Sequence, residues 1–242
     1  MRVDVAFLPR DLDAELVKQR AVVVFDVLRA TTSMTAALGA GVREIQVYSS
    51  VAGARKYAAA AGLYPKPLLC GEENCLKPEG FHLGNSPGDF DRSLKDLTIY
   101  MSTTNGTRAI IAAHEAKVLL VGALVNASAV AGALKDAGLD VILLCAGTNG
   151  QMAMEDVIGA GAVLAAMKRL VHVEEESDAA RMALRMFEVS INDLKGALSM
   201  GAGGRNVIQA GLGADIEFAA SLDRFKNVVG IVEDRTVRRM GR

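Results

Sequence analysis

The residues able to do chemistry cluster at the ends of apolar runs. Asp26 directly follows Ala21-Val22-Val23-Val24-Phe25, where a carboxylate at the end of a buried parallel strand reaches a ligand crevice. Arg29, three residues on, either satisfies Asp26 as an ion pair or clamps a phosphate with its fork of donors. Ser102-Thr103-Thr104-Asn105-Gly106-Thr107 separates the apolar residues 97–101 from a second apolar segment at 109–113. A strand-to-helix turn of this kind offers hydroxyls and free backbone N–H groups at the positive end of a helix, which stabilises an anion. Residues 141–145 lead into Gly147-Thr148-Asn149-Gly150, which repeats the Thr-Asn-Gly of 104–106. If Asp26, Glu72 or Glu73, and Glu155 or Asp156 converge, they offer oxygen ligands of the kind that suit Mg²⁺ rather than zinc.

Each feature has a plain alternative. Asn-Gly is a strong hairpin signal, and Ser or Thr ahead of a helix is an ordinary cap. Acids such as Glu155-Asp156 at a helix start simply favour the macrodipole. Gly201-Ala202-Gly203-Gly204-Arg205 reads either as another anion-contacting turn or as a helix stop. The three histidines are dispersed, and no Ser-His-Asp set, P-loop or GxGxxG is present. Cys145 reads as a small buried hydrophobe.

The elements that must position these groups follow from periodicity. Strands are expected at 3–8, 21–25, 44–48, 97–101, 117–124, 141–145, 216–220 and 228–232. Helices are expected at 11–19, 34–38, 51–61, 109–113, 127–134, 155–169 and 178–189, the last capped by Asp178. Strand, Thr-rich turn, helix, strand, helix describes both 22–61 and 98–134, a weak internal repeat. Alternating strands and helices predict an α/β fold, a mixed, largely parallel sheet covered by helices on both faces. All three turns then lie along one edge. Residues 64–96 hold four of the five prolines and form a long irregular excursion containing Gly84-Asn85-Ser86-Pro87. Residues 173–177 and the final arginines read as solvated.

At 242 residues the chain makes one large domain, or two sub-domains divided in the 64–96 excursion. A net charge of −1 offers no global field for nucleic acid. Three scattered cysteines make no disulfide framework. With neither a signal peptide nor an apolar run of about 18 residues, a cytoplasmic protein without a membrane partner is expected.

The segments FDVLRATTSMTAAL, GEE, GFHLGNSP, STTNGTRA, LVNASAVA and CAGTNGQMAMED resemble, in order, those of the 2-phosphosulfolactate phosphatase (ComB-like) family. GAGGRN and DIEFAASLD are a looser echo. The resemblance implies the family's α/β fold and a Mg²⁺-dependent phosphatase of the coenzyme M pathway. The reaction would convert (2R)-2-phospho-3-sulfolactate to 3-sulfolactate and phosphate. Carried onto this sequence, it implies catalytic roles for Asp26, Arg29, Thr104, Asn105 and Glu155. Substrate contacts would come from Arg29, Thr31, Thr32, Asn85, Ser86, Thr103–Thr107, Gly147, Thr148 and Arg205. Asp26, Glu72, Glu155 and Asp156 are the expected Mg²⁺ ligands. The expected partner is a small anionic phosphorylated substrate, and the assembly allowed for is a homodimer. Two departures stand out. The family often has Gly-Glu-Arg where this chain has Gly71-Glu72-Glu73, and Ser-Leu-Glu-Asp where it has Ala153-Met154-Glu155-Asp156. Two rivals remain open: a covalent Asp26 of the haloacid-dehalogenase type, disfavoured because its second acid is Leu28 here, and a non-catalytic binder of an acidic metabolite.

Overall fold

The computed structural model describes residues 1–63 and 65–241. Tyr64, which opens the 64–96 excursion, and Arg242, the last C-terminal arginine, lie outside the described residues.

Ala21–Phe25 (β2) shows why the sheet forms. All five residues are fully buried, and a β-branched run that must hide both faces is satisfied only in the middle of a sheet covered on both sides. Val22 and Val24 enter one core with Met34, Ala37 and Leu38, whereas Val23 and Phe25 enter the other with Val130, Leu134, Ile158 and Val163. The remaining strands are Arg2–Ala6 (β1), Glu44–Tyr48 (β3), Leu68–Gly71 (β4), Thr98–Ser102 (β5), Val118–Gly122 (β6), Val141–Cys145 (β7), Glu174–Glu175 (β8), Gly230–Glu233 (β9) and Thr236–Arg239 (β10). They form one ten-stranded sheet in the order β4-β5-β3-β10-β9-β6-β2-β7-β1-β8.

Helices α1 (Ala14–Val17), α2 (Ala30–Ala40), α3 (Val51–Ala60), α4 (Gly106–Ala112), α5 (Ala127–Ala137), α6 (Met154–Lys168), α7 (Asp178–Ser190), α8 (Leu194–Met200), α9 (Ala202–Gln209) and α10 (Gly213–Ala219) complete the chain. The fold is α/β with a mixed, mostly parallel sheet between helices, as expected. Among the described residues no helix is long and apolar enough to cross a membrane.

The antiparallel hairpin β9–β10 sits between two parallel blocks, pairing with β6 on one side and β3 on the other. The blocks therefore run in opposite senses. The repeat crosses this hairpin twice: β2-α2-β3 passes from one block to the other, and β5-α4-β6 passes back. Five strand steps separate β5 from β2; at about 20–25° of twist per step the two carboxyl ends turn toward each other. They meet at Asp26 and Gly106.

Local readings differ from the structure in five places. Leu68–Gly71, inside the excursion expected to be irregular, forms β4 beside β5. Residues 216–220, expected as a strand, fall largely in α10, because Ile216 and Ala219 are buried at helical spacing. The arginine-rich end is not a solvated tail: Arg238 lies in β10 and bonds Glu44 at 2.6 Å. Residues 174–175 form the edge strand β8 beside β1. The cap of α7 is Ser177, whose hydroxyl accepts from the Ala180 N–H at 3.2 Å, not Asp178.

Candidate active site

The turn after β2 is held from within. The Thr31 hydroxyl donates to the Asp26 carbonyl at 3.0 Å and accepts from the Asp26 N–H at 3.1 Å. The Thr32 hydroxyl donates to the Val27 carbonyl at 2.7 Å. Both threonines are fully buried, so they shape the turn and present nothing to a ligand. Asp26 Oδ1 accepts from the Ala30 N–H at 3.1 Å. The N–H of Gly106, at the start of α4, also favours its anion. The positive ends of α2 and α4 thus both face the chain's own carboxylate.

The second turn is built likewise. The Thr107 N–H donates to Thr103 Oγ1 at 3.1 Å, and the Thr103 N–H donates to Thr107 Oγ1 at 3.3 Å, a reciprocal pair with both residues buried. The Thr104 N–H donates to Glu72 Oε1 at 2.7 Å, while Glu72 Oε2 accepts from the Cys75 N–H at 2.9 Å. Glu72 therefore ties the 64–96 excursion to this turn. Gly106 is required by close approach: a Cβ there would stand 2.6 Å from Ala30 Cβ and 2.7 Å from Asp26 Oδ2. Gly106→Ala is expected to cost about 1–3 kcal/mol by overpacking, read as a lowered urea midpoint with an unchanged m-value, and to push Asp26 out of place.

The third turn, which holds the second Thr-Asn-Gly, is a different object. Thr148 and Gln151 exchange N–H···O bonds at 2.9 and 3.0 Å, and Asn149 and Gly150 have φ of 52° and 72°. Positive φ at both central residues is the hairpin turn that Asn-Gly favours. Asp156 fastens this turn to the first. Its Oδ1 accepts from the Val27 N–H at 2.8 Å and its Oδ2 from the Gly147 N–H at 3.0 Å. Burial holds its carboxyl well above the usual carboxylate range, with Asp26 and Glu155 adding to the effect.

Arg29 does not pair with Asp26. Its Nη1 donates to Asp215 Oδ2 at 2.8 Å and to Ser86 Oγ at 3.3 Å, and its Nη2 donates to the Cys75 carbonyl at 2.6 Å. Ser86 Oγ donates to the same Asp215 oxygen at 2.8 Å. A guanidinium has five N–H donors, so three are engaged and two remain for a ligand. Asp215, in α10, opens the quoted DIEFAASLD but was not expected as a site residue.

Glu155 lies behind Asp26, 1% exposed, with the glycine-rich start of α9 wrapped around it. A Cβ at Gly203 would overlap its Oε1, and its Oε2 has no hydrogen-bond partner among the described residues. Burial pushes Glu155 up to about 7, with the charge of Asp26 adding and that of Arg205 opposing. Burial likewise raises Asp26 to about 6, Glu72 adding and Arg29 opposing. Both folded pKa values exceed the ordinary values of 3.8 and 4.5. The stability these groups contribute is therefore fully present below about pH 4 and is lost as pH rises through 6 to 7. The metal-free protein is expected to show this decline in its melting temperature between pH 5 and pH 8, offset by any acids whose pKa values folding lowers.

Asp26, Arg29, Glu72, Asn85, Thr104, Asn105 and Thr148 line one cavity of about 80 Å³. Leu28, Asn74, Cys75, Asn149, Gly203 and Asn206 complete its wall. At about 10–15 Å³ per water, it admits a phosphoryl group and its near substituents. Of the other expected site residues, Ser86 and Asp156 act on neighbours. Gly147 gives its N–H to Asp156, and the exposed Arg205 donates to the Met200 carbonyl outside the cavity. Asn149 had a signal, being the counterpart of Asn105 in the repeated Thr-Asn-Gly. Asn206 closes the quoted GAGGRN, and Asn74 merely follows the quoted GEE.

No three His, Cys, Asp or Glu side chains among the described residues are grouped as a ready metal cage. Mg²⁺, however, is usually held by one or two carboxylates, with waters and substrate oxygens completing its shell. Asp26 and Glu72 on the cavity wall fit that pattern, as does the unpartnered Glu155 Oε2 behind them. Asp156 does not, because it is buried and forms no part of the cavity wall.

A model of the 2-phosphosulpholactate phosphatase family matches residues 6–234. A relative from Carboxydothermus hydrogenoformans, named probable 2-phosphosulfolactate phosphatase, is 37% identical over 227 residues, 92% of this chain and 90% of its own. One of the same name from Thermotoga petrophila is 35% identical over 231 residues, 95% of each chain. Another from Clostridium novyi is 39% identical over 165 residues, 68% of this chain and 69% of its own. With a cavity that sets a clamped guanidinium against two carboxylates, and with a family match over almost its whole length, the chain belongs to the 2-phosphosulpholactate phosphatase family of phosphoric monoester hydrolases.

Proposed function

We propose that the protein hydrolyses (2R)-2-phospho-3-sulfolactate to 3-sulfolactate and phosphate, the reaction type of coenzyme M biosynthesis, and does so with Mg²⁺. The observation that carries this reading is the buried Arg29, fixed by Asp215 with two donors left over, facing Asp26 and Glu72 across one small cavity. Phosphoryl transfer asks chiefly for positioning and charge neutralisation. Arg29 binds the phosphoryl oxygens, and Thr104, Asn105 and Thr148 supply further donors around it. Two carboxylates against one guanidinium leave the wall too negative for a substrate bearing phosphate, carboxylate and sulfonate. Bound between Asp26 and Glu72, with Glu155 behind, Mg²⁺ would supply the missing positive charge. Water is the nucleophile; Asp26 orients it and accepts its proton. Leu28, two residues beyond Asp26, gives the wall an apolar side chain where a phospho-aspartate enzyme of the dehalogenase type needs its second acid.

Phosphate release from a panel of phosphorylated 2-hydroxy acids tests the reading. Turnover of 2-phospho-3-sulfolactate should vanish in EDTA and return with excess Mg²⁺. Activity on no member of the panel would refute the substrate class, and full activity in EDTA would refute the metal.

A further inference from the structure

Five asparagines line the reaction cavity: Asn74, Asn85, Asn105, Asn149 and Asn206. None of their side-chain amides has a hydrogen-bond partner among the described residues, and Asn85, 3% exposed, is left with a buried unpartnered Oδ1. A buried amide is normally satisfied within the fold, so Asn85 marks an inner wall that a ligand completes, and the four others offer it further free amides. The five are not equivalent. Asn85 and Asn105 lie inward, whereas Asn74, Asn149 and Asn206 are exposed at the mouth. These three come from separate segments (the 64–96 excursion, the 148–151 hairpin and α9), and all three also line an adjoining cavity of about 340 Å³. That outer cavity adds Gln209, Leu76 and Ala210, and no charged residue borders it.

We infer that Asn74, Asn149 and Asn206 form a neutral specificity subsite for the sulfonate of the substrate. The inference rests on the phosphatase reading and adds to it which residues distinguish this ester from others. The inner cavity is too small for more than the phosphoryl group and its near neighbours, so the remainder of the substrate extends into the outer one. Whatever negative group lies there meets amide N–H donors and no cation. A sulfonate matches this: it is ionised throughout the working pH range, and its three weakly basic oxygens point in three directions. A carboxylate is planar and is better served by the fork of a guanidinium. Three amides from three directions correspond to three sulfonate oxygens.

The test compares two esters, 2-phospho-3-sulfolactate and 2-phospholactate, which carries a methyl in place of the sulfomethyl group. Asn74 and Asn149 have φ of 52° each, so Asn74→Gly and Asn149→Gly remove the amide while keeping a backbone that glycine tolerates. Asn206 lies in α9 and is replaced by alanine. Wild type should prefer the sulfonated ester in kcat/KM. Each variant should lose about tenfold of that preference, through KM more than kcat, as expected when a hydrogen-bonding site loses one partner. A wild type that turns over both esters equally would overturn the subsite while leaving a phosphatase. Variants that keep the full preference would overturn the subsite while leaving the sulfonated substrate in place. Failure of wild type on both esters would remove the phosphatase reading and the subsite together.

Discussion

Asp26→Asn should lower kcat/KM by about 10²–10⁴-fold, the range expected when a carboxylate that handles a proton is lost, while the protein remains folded. The side chains have the same shape, and an asparagine oxygen can still accept from the Ala30 N–H that now meets Asp26 at 3.1 Å. What disappears is the charge between the starts of α2 and α4, and with it the group that accepts the proton of the attacking water. Stability should move the other way. Burial disfavours the Asp26 anion, so the neutral amide removes a cost that the metal-free protein bears above pH 6. At pH 8 in EDTA the variant should melt no lower than wild type, and this separates loss of function from loss of fold. Full Mg²⁺-dependent turnover by the variant would refute the role given to Asp26.

Arg29→Ala should be the most destabilising change near the site. The guanidinium and Asp215 have side chains 3% and 8% exposed, and removing one partner of a buried pair typically costs about 3–5 kcal/mol. For a chain of this size that corresponds to a melting temperature lower by roughly 10 °C. Catalysis should fall as well, since the two remaining guanidinium donors are lost. Because a well-packed apolar pair often substitutes for a buried ion pair without loss, Arg29→Met combined with Asp215→Leu should recover most of the stability and none of the turnover. Arg29→Lys keeps the charge but loses the fork. It should raise KM and leave the Cys75 carbonyl without its 2.6 Å donor. Recovery of activity in the double variant would show that Arg29 serves the fold alone.

The sequence reveals some of this arrangement and hides the rest for identifiable reasons. The run at 21–25 announces a central strand, and Asp26 at its end is an expected crevice residue, because burial on both faces writes itself into five successive side chains. The two Thr-Asn-Gly triplets look alike in the chain but differ in space. Thr103 and Thr107 lock the first into a helix start, whereas Gln151 closes the second into a hairpin. Local sequence could not separate them, since the decision depends on the residues that follow and on what packs against them. Asp215 opens a segment that echoes the family, but its role was hidden because its partner lies 186 positions away. The strand expected at 216–220 rested on too short a window for a period of two to be told from a helical turn. The N–H groups expected to hold a phosphate are in part taken by Asp26 and Glu72. Those carboxylates come from distant segments, and only the folded chain brings them to the turns.

The central hairpin also imposes an order on assembly. Residues 230–239 follow every residue of the cavity wall along the chain, yet they alone join the block holding Asp26 to the block holding Glu72 by backbone pairing. As the polypeptide leaves the ribosome, both half-sheets can be complete while β3 and β6 still present open edges, a state prone to pairing with other chains. The final insertion completes the sheet that carries both walls of the cavity. A chain truncated at residue 229 leaves both edges open and should aggregate rather than retain partial activity.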